Sequence, residues 1–177
     1  MIFFTKKIRI LEKGGDNRMI DAIDVRIMKL LGDNGRMSNS EIARRLDISE
    51  ATVRQRLKRL FDNDILQVSG QIDPNAFPEI FIIVVGIVLN ILPEKCLDAI
   101  ASLPNLLFVF TVTGRYDMIA VFAVNTREKL SEIIEKHLHS IEGVSHTETY
   151  VVLKNIGMTI NTKDFCEFIG TTEKTWD

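Results

Sequence analysis

The sequence predicts an α+β chain in two parts, an N-terminal winged helix-turn-helix domain followed by a ferredoxin-like β-α-β-β-α-β sandwich. Three observations carry this expectation. Residues 38–60 spell two short amphipathic helices, each opened by a serine, around a tight turn. From Ile80 the texture changes to Ile- and Val-rich runs alternating with helical patterns. The charge is also divided: residues 1–72 hold 14 Lys and Arg against 10 Asp and Glu, and residues 73–177 hold 8 against 14, so +4 precedes −6 in a chain of net −2. A basic front and an acidic back suit a nucleic-acid module joined to something that does not touch nucleic acid.

Residues 1–18 form a Lys-bearing lead that ends in the break Gly14-Gly15-Asp16-Asn17. The first domain is expected over residues 19–72. Its first helix starts near Asp21, carries Ile23, Ile27, Leu30 and Leu31 on one stripe, and stops at Asp33-Asn34-Gly35, glycine being favoured just past a helix end. Ser38 and Glu41 have the spacing of a reciprocal capping box for the second helix. Ile42 and Leu46 are its apolar stripe, and Asp47-Ile48 carry the turn to Ser49, the next cap.

On the third helix, Val53, Leu57 and Leu60 fall on one side. Ala51, Thr52, Arg54, Gln55, Lys58 and Arg59 fall on the opposite arc, which so bears cations, an amide, a hydroxyl and small positions allowing close approach. Such groups reach phosphates and the edges of guanine and adenine, which makes this a candidate recognition helix for the major groove. The plain alternative is a solvated cationic face. The candidate DNA-binding residues are Ser38, Arg44, Arg45, Ser49, Thr52, Arg54, Gln55, Lys58 and Arg59. Beyond this helix, Ile65–Val68 and Gln71-Ile72 around Ser69-Gly70 suggest a wing hairpin. Residues 73–79, with Pro74 and Pro78, are expected as a hinge.

The second domain is expected over residues 80–155. Ile80–Leu92 suits a strand buried on both faces. Pro93 starts a helix with Leu97, Ile100 and Ala101 inward, and strands follow over Leu106–Thr113 and Met118–Val124. Asn125 or Thr126 caps a helix bearing Leu130, Ile133, Ile134 and Leu138, and a last strand runs from Val144 to Leu153. The order is that of the ferredoxin-like fold. Residues 156–177 read as a tail with an apolar patch of Phe165, Phe168 and Ile169.

Several functions are excluded or disfavoured. With 46% hydrophobic and 26% charged residues the chain is of ordinary globular composition, and the 13-residue apolar run Ile80–Leu92 is shorter than the roughly 20 residues a membrane helix needs. Cys96 and Cys166 are far apart, which points to a reducing, cytoplasmic setting without a disulfide framework. His137, His139 and His146 lack the company of paired ligands, and no phosphate loop, nucleophile elbow or metal-helix motif is present. No catalytic residue, metal or cofactor is expected.

The chain resembles the Lrp/AsnC family, the feast/famine transcription regulators. The likeness rests on Ile20–Asp24, on Asn34–Ala43, on Thr52–Leu60, on Thr113-Gly114-Arg115-Tyr116-Asp117, and on Gly143-Val144 through Thr147-Glu148-Thr149. It covers about residues 19–155, so residues 1–18 stand as an extension or an upstream start. Asp64 departs from the glycine usual in the family at the end of the recognition helix. The resemblance implies a cytoplasmic regulator that binds double-stranded DNA as a homodimer, often assembled to an octamer, on a pseudopalindrome, modulated by an amino acid or similar small effector. Candidate effector residues are Thr113, Gly114, Arg115, Tyr116, Asp117, Thr147 and Thr149, with Arg115 for a carboxylate, Asp117 for an ammonium, and the threonines on one strand face. A plain hairpin turn is the alternative for residues 114–117. Two other readings are a sirohaem decarboxylase-like enzyme on the same fold, expected to gather His, Tyr and Arg at a cleft and to lose the recognition-helix cations, and a nucleoid-like architectural DNA-binding protein.

Overall fold

A computed structural model describes residues 20–162. The expectations for residues 1–18, Cys166, Phe165, Phe168 and Ile169 lie outside the described residues. The chain divides between Gly70 and Gln71 into two compact units.

The first unit has three helices, α1 (Ala22–Asp33), α2 (Asn39–Leu46) and α3 (Glu50–Asp62). α1 starts where it does because two aspartates form its capping box. Asp21 Oδ1 accepts from the amides of Ile23 and Asp24 at 2.9 and 3.0 Å, and Asp24 Oδ2 accepts from the Asp21 amide at 3.0 Å. The capping box expected at α2 is only half made. Ser38 Oγ accepts from the Glu41 amide, but the Glu41 carboxylate is taken by Arg44 and Arg45 instead. Asp47, at φ 55°, makes the left-handed turn, and Ser49 Oγ caps α3 through the Thr52 amide at 3.1 Å.

Ile27, Leu31, Ile42, Ala43, Leu46, Val53 and Leu57 close the core of this unit. Each of its larger apolar side chains contributes about 1.5–3 kcal/mol by burial. α1 does not end on a left-handed Gly35. Its cap is Asn34 in extended conformation, and Gly35 serves close approach, since a Cβ there would stand 3.0 Å from Val68 Cγ1. Asp64 takes the left-handed position after α3 at φ 54°, and Ile65 N then donates to Leu60 O at 2.9 Å. The helix thus stops as it would at glycine, at the added cost of a Cβ in that region.

The wing hairpin expected over residues 65–72 does not form. Residues 66–70 make no strand, and Leu66 packs against the helical core. Gln71–Ile72 (β1) pairs antiparallel with Ile160–Asn161 (β6), a ladder that lies within the second unit. Residues 73–79, expected as a hinge, carry local structure of their own. Asp73 caps a 3₁₀ turn over Pro74–Ala76, and Phe77 and Ile80 pack with Ile82, Ala123 and Ile160.

The second unit contains β2 (Phe81–Leu89), α4 (Pro93–Ala101), β3 (Leu106–Thr111), β4 (Met118–Val124), α5 (Arg127–Ser131) and β5 (Val144–Val151). α5, capped by Thr126, widens without a break into a π-helical segment over Glu132–Leu138, and His139 N donates to Ile134 O five residues back at 3.0 Å. The sheet order is β3-β4-β2-β5 with antiparallel pairs throughout, the ferredoxin-like topology. β2 is shorter than expected but is buried on both faces, with Ile82 and Gly86 buried on one and Ile83, Val85 and Ile87 on the other. Ile83, Val85 and Ile87 point to a core shared with Cys96 and Ile100 of α4 and with Ile133 and Leu138 after α5. Both helices therefore cover one face. Val84 and Gly86 belong to the other.

Candidate nucleic-acid interface and effector region

On α3, Arg54 and Lys58 are the outward cations, with side chains 70% and 74% exposed. Each holds a partner one turn away on its own helix, Arg54 on Glu50 at 2.7 Å and Lys58 on Asp62 at 2.5 Å. Gln55 and Ala51 are exposed between them. Thr52 Oγ1 shares a 2.8 Å hydrogen bond with Ser49 Oγ. On α2, Arg44 and Arg45 converge on Glu41 at 2.8 and 2.7 Å, and their hydrogen bonds hold its carboxyl near pKa 2, well below the ordinary 4.5. Ser38 Oγ lies 3.0 Å from Ser40 Oγ. Solvent-exposed pairs of this kind are worth about 0–1 kcal/mol, so a phosphate can displace the carboxylate at little expense.

Arg59 departs from the expected outward arc. It reaches back to Asp24, whose side chain is fully buried, and hydrogen-bonds Asp24 Oδ2. Arg56 joins it there, with Nη1 2.6 Å from Asp21 Oδ2 and 3.0 Å from Asp24 Oδ1. The Arg56 bond comes first in holding the Asp21 carboxyl at about pKa 2. Burial alone would raise Asp24, but the Asp21 amide and the two guanidinium groups outweigh it and keep this carboxyl below its ordinary value. α3 rolls these two arginines toward α1 because their stems flank the buried Leu57–Leu60 side, where the α1 cap offers the only fully buried carboxylate among the described residues.

In the second unit the residues expected as one effector pocket divide between two faces of the sheet. Thr147 Oγ1 meets His139 Nε2 at 3.0 Å. Glu148 and Tyr150, one residue out of phase, take the opposite face and meet the turn between β3 and β4. Tyr116 OH lies 2.7 Å from Glu148 Oε2 and 2.6 Å from Tyr150 OH, and Arg115 pairs with Glu148 Oε1. These bonds push the Tyr116 phenol above its ordinary pKa and the Glu148 carboxyl below its own. Thr149 shares the parity of Thr147, away from this cluster.

Asp117 is committed to the backbone, since its Oδ2 accepts from Leu89 N at 2.8 Å and its own N–H donates to Ile87 O at 2.9 Å. Gly114, at φ 132°, has open space where a Cβ would project, so its glycine serves the conformation and not a close approach. Thr113 borders an open cleft with Thr111 and Val112. Sequence reasoning missed Glu148 and Tyr150, although the period-two alternation of Thr147-Glu148-Thr149-Tyr150 carried the signal. It also missed His146, whose Nε2 lies 3.9 Å from Glu148 Oε1 and so joins the group around Tyr116. Among the described residues no group of His, Cys, Asp and Glu could hold a metal ion, and no helix is long and apolar enough to cross a membrane.

A three-helix unit with exposed cations on its third helix, joined to a ferredoxin-like unit, defines a two-domain DNA-binding regulator. A family described as winged helix-turn-helix DNA-binding matches residues 20–67, and the Lrp/AsnC ligand binding domain matches residues 89–161. An HTH-type transcriptional regulator of Pyrococcus abyssi is 32% identical over 136 residues, 75% of this chain and 85% of the relative. The HTH-type transcriptional regulator Ptr1 of Methanocaldococcus jannaschii is 30% identical over 140 residues, 77% and 93% of the two chains. Escherichia coli AsnC shares the fold with a TM-score of 0.65 at 22% identity, over 79% of this chain and 96% of its own. A transcriptional regulator of Neisseria meningitidis, in complex with L-Met, gives 0.64 at 25% identity, over 80% and 94%. The chain belongs to the Lrp/AsnC family of transcription regulators.

Proposed function

We propose that this regulator reads DNA by laying α3 in the major groove, and that two copies in a homodimer reach grooves about one helical turn, roughly 34 Å, apart on a pseudopalindrome. The single observation that carries this reading is the outward row of Arg54, Gln55 and Lys58 on a helix whose other side is pinned in a core. Arg54 and Lys58 take phosphates or guanine, Gln55 an adenine edge, and Thr52 a methyl or phosphate. Arg44 and Arg45, in the last turn of α2, hold the backbone alongside, and the capping residues Ser38 and Ser49 add contacts at the starts of α2 and α3. Arg59 drops out of the contact set because Asp24 holds it. Footprinting on genomic fragments tests this: discrete protected sites with two half-sites in phase support it, and uniform coverage at all sequences favours an architectural role.

The second unit is read as the sensor for an amino acid, an inference supported by the ligand-binding family it matches and by the L-Met complex of the Neisseria relative. Thr113, Gly114, Arg115 and Tyr116 border the region. Asp117 takes part as a scaffold and not as a free anion. A thermal-shift screen of the amino acids checks this, because a ligand bound only by the folded state raises the melting temperature; no shift with any of them would contradict it. The setting is cytoplasmic, and the protein acts without catalysis.

One observation favours a second reading. Arg115, Tyr116 and His146 gather around Glu148, the side-chain types expected of a sirohaem decarboxylase-like site. Retention of exposed Arg54 and Lys58 on α3 weighs against it. A change of the Soret band on adding sirohaem would favour the enzyme, and an unchanged band the regulator.

A further inference from the structure

The cations of α3 fall into two classes according to the acid each one holds. Arg54 and Lys58 hold Glu50 and Asp62, which are exposed and sit on the same helix. Arg56 and Arg59 hold Asp24, a carboxylate with no exposed surface on a different helix, and Arg56 also holds Asp21. Asp24 cannot follow a departing guanidinium, because its Oδ2 also takes the Asp21 amide and so closes the cap of α1. A phosphate that pulls on Arg54 or Lys58 leaves behind a carboxylate already in water. Pulling on Arg56 or Arg59 strips a buried carboxylate of its partner, a far larger penalty.

We infer that Asp24 withholds Arg56 and Arg59 from the DNA backbone, so that α3 presents fewer cations to phosphate than its sequence contains and sequence-independent affinity is held down. Asp24 is then a positioning residue that sets specificity without touching DNA. Specific binding is measured against a large excess of non-specific sites, so restraint of the backbone contribution raises the ratio that matters. The inference rests on the reading that α3 lies against DNA.

The test is the salt dependence of full-length protein binding to a random-sequence duplex, since each phosphate contact adds about 0.9 to the slope of log affinity against log salt. Arg54→Gln and Lys58→Gln should each flatten the slope by about 0.9, whereas Arg56→Gln and Arg59→Gln should leave it unchanged. Asp24→Asn should steepen it by about 0.9 for each guanidinium released, and adding Arg59→Gln to Asp24→Asn should remove one such increment. A merely structural role for Asp24 would change the melting temperature without steepening the slope. A flattening of about 0.9 by Arg56→Gln or Arg59→Gln in the otherwise unaltered protein would overturn the inference, as would a folded Asp24→Asn variant with an unchanged slope. Should Asp24→Asn fail to fold, the two arginine variants still decide. If Arg54→Gln and Lys58→Gln also have no effect, the reading of α3 as the interface has failed, and the inference falls with it.

Discussion

Tyr116 lies across Gly86: a Cβ on that glycine would stand 2.6 Å from Cε1 of the ring and 2.7 Å from Cδ1 and Cζ. The absence of a side chain in mid-strand is what lets the ring reach both Glu148 and Tyr150 on the neighbouring strand. Gly86→Ala should lift the ring, break both hydrogen bonds and destabilise the second unit by about 1–3 kcal/mol, the usual range for overpacking. Denaturant midpoints of Gly86→Ala, Tyr116→Ala and the double variant check this. Most of the Gly86→Ala loss should vanish when Tyr116 is already Ala.

Asp117 is expected to matter to stability more than to ligand charge. Its carboxylate accepts from Leu89 N at 2.8 Å, tying the β3–β4 turn to the end of β2. Asp117→Ala should cost about 1–3 kcal/mol by orphaning that amide, and Asp117→Asn should recover part of it through the remaining carbonyl oxygen. Thermal melts of the ligand-free protein measure both. Equal stability of Asp117→Ala and the parent would contradict the assignment.

Acid should loosen the first unit in a defined window. The Asp21 carboxyl is lowered from 3.8 to about 2 by its bond to Arg56, and Asp24 is lowered as well. Groups whose folded pKa is depressed stabilise above the unfolded value, and this stabilisation is lost as pH falls through the folded value. The contribution of Asp21 should therefore be whole above about pH 4 and drain away toward about pH 2, and Asp24 acts in the same direction. Circular-dichroism melts of the parent against Arg56→Gln isolate it: the two profiles should converge as pH is lowered through that window, and parallel profiles would refute the coupling.

Much of this was legible before the structure. The serine caps, the apolar stripes of α2 and α3 and the strand from Met118 to Val124 follow from local chemistry and period alone. What escaped depends on contacts between segments far apart in the chain. Arg59 sits on a helical arc that reads as outward, and only the docking of α1 reveals the buried acid that claims it. Gln71–Ile72 reads as half of a local hairpin, yet its partner lies near residue 160. Thr147 and Thr149 share a face, as the period of two requires, but which face carries Tyr116 is decided by Gly86 in β2.

Whether α3 reads DNA through its outward cations is decided by affinity for a footprinted operator, measured by fluorescence anisotropy on the parent and on Arg54→Ala plus Lys58→Ala. Both side chains are exposed and bonded only within their own helix turn, so folding should survive. Affinity should fall by at least about tenfold with an unchanged melting temperature, since one base or phosphate contact of this kind is worth about 1–3 kcal/mol. Binding as tight as the parent's, from a variant that melts as the parent does, would contradict that reading of α3.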